Sequence, residues 1–473
     1  MWADDIAGTG EHEPLCCRGS GLGVCPKVQA EKVTRQRGLR TARSYMIPRV
    51  CVPGACPTLR DLARVGLPVF KLLFVAILLG IGPALAANEH DPAWLGAHQL
   101  MRAQEPSGQF SFEYDFLLGG PRADTEREDG QAAYITREAG AAYGLSKYFL
   151  HERDPRVAHA IAAALRRWGQ LSLPVSKSFG QDTLESTGVL ALPFARYKLE
   201  ASLRWLNFLY RPTGDGRLIA YGRSYDTASG GATALALLTE LQYYEASHDN
   251  RFEALREAWL KGLLVLYDGV GGFRKLPAFI DENDLTNAEI WLALAYYTRL
   301  FPNDRATAAT AARVDNYMLR VYTQAPNRSF YAWGVQAAAL RLSATADERF
   351  RQFIAQQTHA YFQGATDNAK DNNCSTIEGL GTALHVLMKA AHSDQQLIDR
   401  LRRTIRDEMA KDLSLQIQPG QDRIDLGKGA YLYSPVLAQY EGAFLSGTRR
   451  PFVRVDYTQH CISALLLVKD DKY

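Results

Sequence analysis

Apolar positions in residues 87–473 fall into two alternating kinds of helical stretch. The first kind is rich in Ala, Gly, Leu and Tyr and has no continuous polar face. It covers residues 135–150, 230–247, 287–301, 331–343, 376–392 and 457–468. A helix apolar on most sides is buried on most sides. The second kind carries Arg, Glu, Asp and Gln along one side, as surface helices do, over residues 157–168, 251–267, 305–322, 346–361 and 394–411. Residues 93–103 supply a sixth surface helix, which would pair with the last buried one. A repeat of roughly 45–55 residues predicts a repeat architecture. An open solenoid needs atypical caps. Here the first and last helices complement each other, so the pattern predicts an all-α ring of six helical hairpins. Residues 171–223 break the pattern. The stretches LPFARYKL, SLRWLNFLY and RLIAYGRSY alternate like strands around the turn Pro212-Thr213-Gly214-Asp215-Gly216, which predicts an inserted β-hairpin beside the ring.

A different apolar run lies upstream, at residues 67–87. Its uncharged core at residues 72–81 follows Arg60, Arg64 and Lys71 and precedes the small-residue exit Ala84-Leu85-Ala86. Basic flank, short core and small exit describe a signal peptide over residues 67–86. A membrane span needs about 20 apolar residues, and Lys71 shortens this run. Membrane attachment is therefore expected only through an uncleaved signal segment. Residues 1–66 show no helical or strand period and are read as disordered or as an over-extended start, with Met46 as an alternative initiator. The expected location is periplasmic or secreted.

This division changes the composition. The full chain has 473 residues, 47% hydrophobic, with 54 Lys+Arg against 51 Asp+Glu. Such a composition excludes disordered, collagen-like and disulfide-dense classes. The net charge of +3 gives no reason to expect nucleic acid as a partner. Residues 1–86 hold eleven Lys/Arg and six Asp/Glu, so 87–473 keep 43 basic and 45 acidic residues, a net −2. Of seven cysteines only Cys374 and Cys461 remain there. In an exported chain they can form one disulfide, and their separation decides whether they do.

In a ring of hairpins all inner helices run the same way, so their N-terminal ends share one mouth. The segments feeding those ends hold Glu113-Tyr114-Asp115, Tyr134, Arg137 and Glu138, Asp226 before Gly230-Gly231, Asn287 and Glu289, Tyr331 and Trp333, Ser375 and Glu378, and Arg454, Asp456, Tyr457 and His460. Carboxylates and aromatics on one rim suit a glycan cleft. Each also has a local role open to it. Asp226, Ser229, Asn287, Ser375 and Asp456 are ordinary N-cap types. Glu138, Glu289 and Glu378 fall in or near first turns, where they favour the helix dipole, and Thr286–Glu289 and Ser375–Glu378 approximate capping boxes.

The twelve-helix pattern and these segments resemble the (α/α)6-toroid superfamily: six-hairpin glycosidases with related uronate epimerases and polysaccharide lyases. The resemblance covers residues 90–470 and singles out no one family. It implies a cleft at the inner-helix N-termini and a glycan partner.

Glu289 and Glu378 stand out because each lies on a helix with no polar face, where a carboxylate must face a cavity or a partner. They are the expected catalytic pair, followed by Asp226 and Asp456. Arg137 and Arg454 would bind a substrate carboxylate. Tyr134, Trp333 and Tyr457 would stack on sugars, and His460 completes the binding set. The expected activity is glycoside hydrolysis by carboxylate acid/base chemistry, without cofactor or metal. The alternatives are a uronate epimerase or lyase using Tyr or His as base, and a non-catalytic glycan-binding protein. Zinc on Cys374, Cys461 and His460 is disfavoured, because adjacent helical residues point about 100° apart.

Overall fold

The structure is a computed structural model that describes residues 91–111, 113–120, 131–175, 215–221, 227–274, 282–364, 371–390 and 394–469. The leader and signal segment lie outside these residues. Six inner helices run α2 (Gln131–Glu152), α4 (Gly230–Ser247), α6 (Asp284–Leu300), α8 (Arg328–Thr345), α10 (Cys374–Leu387) and α12 (Val455–Lys469). Each packs on the next, and α12 packs back on α2. The outer layer is α1 (Pro92–Ala103), α3 (Pro155–Leu171), α5 (Glu253–Val265), α7 (Arg305–Gln324), α9 (Arg349–Gly364) and α11 (Gln395–Ser414). The outer helices α3 to α11 each lie on the inner helix before them, and α1 lies on α12, which closes the ring. The chain is an (α/α)6 toroid.

The local chemistry explains the helix starts. Asp91, Asp154, Asp304 and Asp394 cap outer helices, and Ser229, Asn283 and Asn327 cap α4, α6 and α8 through first-turn N–H groups. The Asn287 cap and both capping boxes expected from sequence do not form. The cap of α6 is Asn283, which accepts from the Thr286 N–H at 3.0 Å. Asn287 instead accepts from the Phe273 N–H and donates to Glu282.

Inner helices are buried nearly all round. Every residue of α4 from Gly230 to Tyr243 is buried. Small residues let the helices close on one another. A Cβ on Gly144 of α2 would lie 2.8 Å from Gln459 Cγ and 3.1 Å from its Cα on α12. Buried ion pairs tie the layers together. Arg256 of α5 reaches Glu240 of α4 at 2.9 Å, and Arg341 of α8 reaches Asp315 of α7 at 2.7 Å.

Small sheets border the end where inner helices begin. β1 (Glu113–Asp115) pairs antiparallel with β7 (Phe452–Arg454), placing Glu113 opposite Arg454. β2 (Ser172–Val175), β3 (Gly216–Ala220) and β4 (Ala228–Ser229) form a second sheet. Within the expected insertion, the RLIA strand pairs with Ser172–Val175, before the segment assigned to the hairpin. LPFARYKL and SLRWLNFLY lie outside the described residues. A third hairpin, β5 (Arg423–Gly427) with β6 (Ala430–Tyr433), was not expected. Among the described residues no helix is long and apolar enough to cross a membrane.

Candidate active site

Several segments that feed the inner-helix N-termini, residues 121–130, 176–214, 222–226, 275–281 and 365–370, fall outside the described residues, and Asp226 with them.

Glu289 is the sixth residue of α6 and is 3% exposed. It makes no hydrogen bond or ion pair among the described residues. Burial alone pushes its carboxyl up to about 8. A Cβ on Gly231 would sit 2.3 Å from Glu289 Oε2 and 3.3 Å from Thr136 Cγ2. Gly231, in the glycine pair that opens α4, thus makes room for the Glu289 carboxyl under the first turn of that helix. Beside it, Ser229 caps α4 and shares a 3.0 Å hydrogen bond with Thr136.

Asp456, in the first turn of α12, has the opposite surroundings. Arg454 Nε and Nη2 donate to its two oxygens at 2.6 and 2.8 Å, and Arg137 Nε stands 3.8 Å away. Burial on its own would raise this carboxyl. The Arg454 guanidinium, then Arg137 and His460, more than offset that and hold it below its ordinary value. The Arg454 guanidinium also lies 4.5 Å from the centre of the Tyr457 ring. Arg137, Arg454, Asp456 and Tyr457 therefore converge, while Arg454 is committed to Asp456. In the ring order α6 and α12 lie opposite each other, so Glu289 and Asp456 project from facing helices.

Glu378 is not brought to Glu289. Its Oε2 accepts from Lys147 Nζ at 2.9 Å, and its Oε1 accepts from His460 Nδ1 at 2.6 Å. Gln336 bridges, accepting from Lys147 at 3.1 Å and donating to Glu378 at 3.4 Å. Burial would raise the Glu378 carboxyl, yet Lys147 and His460 hold it below its ordinary value. The Lys147 ammonium is raised: burial opposes this, and Glu378 outweighs it. Lys147 lies eleven residues beyond Thr136 on α2, a rise of about 16 Å. Glu378 and His460 are the fifth and sixth residues of α10 and α12, so the cluster links the starts of those helices to the later turns of α2.

Trp333 is 6% exposed and packs against Tyr143 and His460, both 5.7 Å away between ring centres. It is core rather than an open stacking platform, because in the second turn of α8 it is closed in by Tyr143 of α2 and His460 of α12. Tyr134 is half-buried, meeting Gln109 and the edge of Tyr221. Lys147 is not among the residues expected from sequence, and Glu138 is named there only as a rim acid. Lys147 stands on AAYGLSKYFL, a helix with no polar face, the same signal that marked the acids. Glu138 is 1% exposed and rises to about 7 by burial, against the pull of Arg167.

Cys374 and Cys461 form a disulfide with Cα atoms 4.8 Å apart, joining α10 to α12. Asp412 also has an oxygen within 4.8 Å of both sulfurs. As a disulfide the sulfurs offer no thiolate to zinc. A cavity of about 670 Å³ opens at the other end of the ring, where inner helices finish.

No family model and no curated protein matches the chain. Solved structures do. A GH76 alpha-mannanase from Bacteroides thetaiotaomicron is 9% identical, with TM-score 0.49 over 81% of this chain and 96% of that one. The GH76A alpha-1,6-mannanase of a Salegentibacter species is also 9% identical, TM-score 0.49, over 80% and 97%. A sugar epimerase from a ruminal bacterium is 11% identical, TM-score 0.47, over 80% and 97%. These are likenesses of overall shape. The closed ring of this chain's own twelve helices gives it the (α/α)6-toroid architecture that its sequence resembles.

Proposed function

We propose that the chain is an exported glycoside hydrolase whose reaction takes place at the inner-helix N-termini. The observation that carries this reading is the contrast between Glu289 and Asp456. One carboxyl is kept protonated near neutral pH by burial, and the other is kept ionised by two guanidinium groups. Two acids pushed apart in this way are the acid and the base of glycosidic cleavage. Glu289 is the proton donor to the leaving oxygen. Asp456 is the base or nucleophile, with Arg137 and Tyr457 at its side. Glu378 moves from the catalytic pair to a positioning role, because its charge is spent on Lys147 and His460.

A lyase or epimerase would need Arg454 or Arg137 to neutralise a uronate, and both guanidinium groups face Asp456, which favours hydrolysis. The buried disulfide supports export to an oxidising compartment.

The test is an assay of neutral and uronate-containing polysaccharides for new reducing ends, with absorbance of unsaturated uronates followed in parallel. Wild type should release reducing ends without that absorbance. Glu289→Gln and Asp456→Asn should each lower kcat by about a hundredfold or more. Full activity in Glu289→Gln, or unsaturated products from wild type, would sink the proposal. Binding without turnover would point to a glycan-binding protein instead.

A further inference from the structure

The cavity of about 670 Å³ at the far end of the ring takes no part in the chemistry proposed above. Its volume lies within the range of small-molecule sites, roughly 300–1,000 Å³. All six inner helices contribute to it.

Its floor is polar but already satisfied. Lys147 donates to Gln336 and Glu378, and Gln242 accepts from Ser146 at 2.6 Å. Floor groups bonded to one another do not call for an occupant rich in hydroxyls. The wall above them is aliphatic: Leu292 of α6, Leu340 of α8 and Leu467 of α12.

Among the described residues the cavity is lined by one cation without a carboxylate partner. The charged side chains lining the cavity are Lys147, Arg351 and Lys389 against Glu348 alone. Arg351 is paired with Glu348 at 2.8 Å, and Lys147 with Glu378. Lys389 meets His385 Nε2 at 2.7 Å and no carboxylate among the described residues. An ammonium has three donors, and one imidazole nitrogen accepts one.

We infer that this rear cavity binds a small amphipathic carboxylate, its headgroup at Lys389 and its hydrocarbon body against Leu292, Leu340 and Leu467. The site is independent of the glycan reading and would stand if that reading fell. An occupant would rest on Lys147 and Gln336, one side chain away from Glu378.

Isothermal titration of the whole chain with octanoate, neutral octyl glucoside and gluconate tests it. Octanoate should bind at one site per chain. Lys389→Ser, an exposed change, should weaken it about tenfold or more, the loss expected for a charge-assisted hydrogen bond. Leu340→Trp should abolish it by filling the wall, with an unchanged thermal transition confirming the fold. Octyl glucoside should bind more weakly than octanoate and ignore Lys389→Ser. The inference is overturned if octanoate shows no saturable binding, if Lys389→Ser leaves its affinity intact, or if octyl glucoside or gluconate binds as tightly.

Discussion

Glu289 and Glu378 are both buried acids near the starts of inner helices, and their neighbours give them opposite chemistry. Glu289 has no charge beside it and stays protonated up to about pH 8. Glu378 has a lysine and a histidine and stays ionised. The rule that an acid on an apolar helix needs a cavity or a partner found both residues from sequence. It could not tell which acid had which, because the partners Lys147 and His460 lie 231 and 82 residues from Glu378. It missed Lys147 because it was applied to acids only. If Glu289 donates the proton, activity requires its protonated form, so kcat/KM should fall as pH rises through about 8. Asp456 must be ionised, so the acid limb should lie below its ordinary 3.8. A pH–rate profile that keeps rising above 8 would exclude Glu289 as the acid. Replacing Lys147 with Ala should cost about 3–5 kcal/mol in denaturant unfolding, because it leaves a buried carboxylate short of a cation. The double variant Lys147→Ala/Glu378→Gln should lose less than the sum of the two single changes.

At the scale of elements, the twelve helices were legible because two patterns repeat: apolar on most sides, and apolar on one. Their ends were less so, as caps are local competitions that Asn283 won over Asn287. The hairpin β5–β6 went unseen although Gly427-Lys428-Gly429 carries the turn. All three residues adopt left-handed backbone, with φ of 83°, 57° and 79°. Around them Ile424 is buried while Tyr431 and Tyr433 are exposed, the alternation of a one-sided sheet. Small residues let the inner helices close on one another, and Gly144 shows how tightly. Gly144→Ala should cost about 1–3 kcal/mol by overpacking α2 against Gln459. A neutral result would show that α12 can shift away, and would be read as an unchanged midpoint of unfolding.

At the scale of the whole molecule, burial shifts several acids of the ring upward, even where, as at Glu240, a guanidinium pulls the other way. Burial raises Glu138 and Asp412 to about 7 and Glu240 and Glu289 to about 8. Each folded value exceeds the unfolded one, so the native chain binds more protons in between. That contribution to stability is complete below the unfolded values, 4.5 for Glu and 3.8 for Asp, and is lost as pH rises through 7 to 8. The thermal midpoint should decline across that window, and a midpoint that climbs would contradict the assignment. The disulfide closes a loop between residues 87 apart in sequence and fixes the start of α10 to the second turn of α12. Cys374→Ser/Cys461→Ser should cost about 2–4 kcal/mol and loosen the Glu378–His460 contact next to it. Calorimetry compared with the oxidised parent would measure the first effect. The nitrogen shift of His460 would report the second.

Lys469 at the end of α12 reaches Asp91, the cap of α1, at 3.2 Å. The circle of helices therefore has a seam and no natural first member. A short Gly/Ser bridge from residue 469 to residue 91 would join that seam without crossing any helix, and the backbone could be opened elsewhere. The turn around Asp347, between α8 and α9, is one such place, since it is exposed and joins an inner helix to its outer partner. Such a permutant would trade one gap in the circle for another while keeping every helix beside its present neighbours.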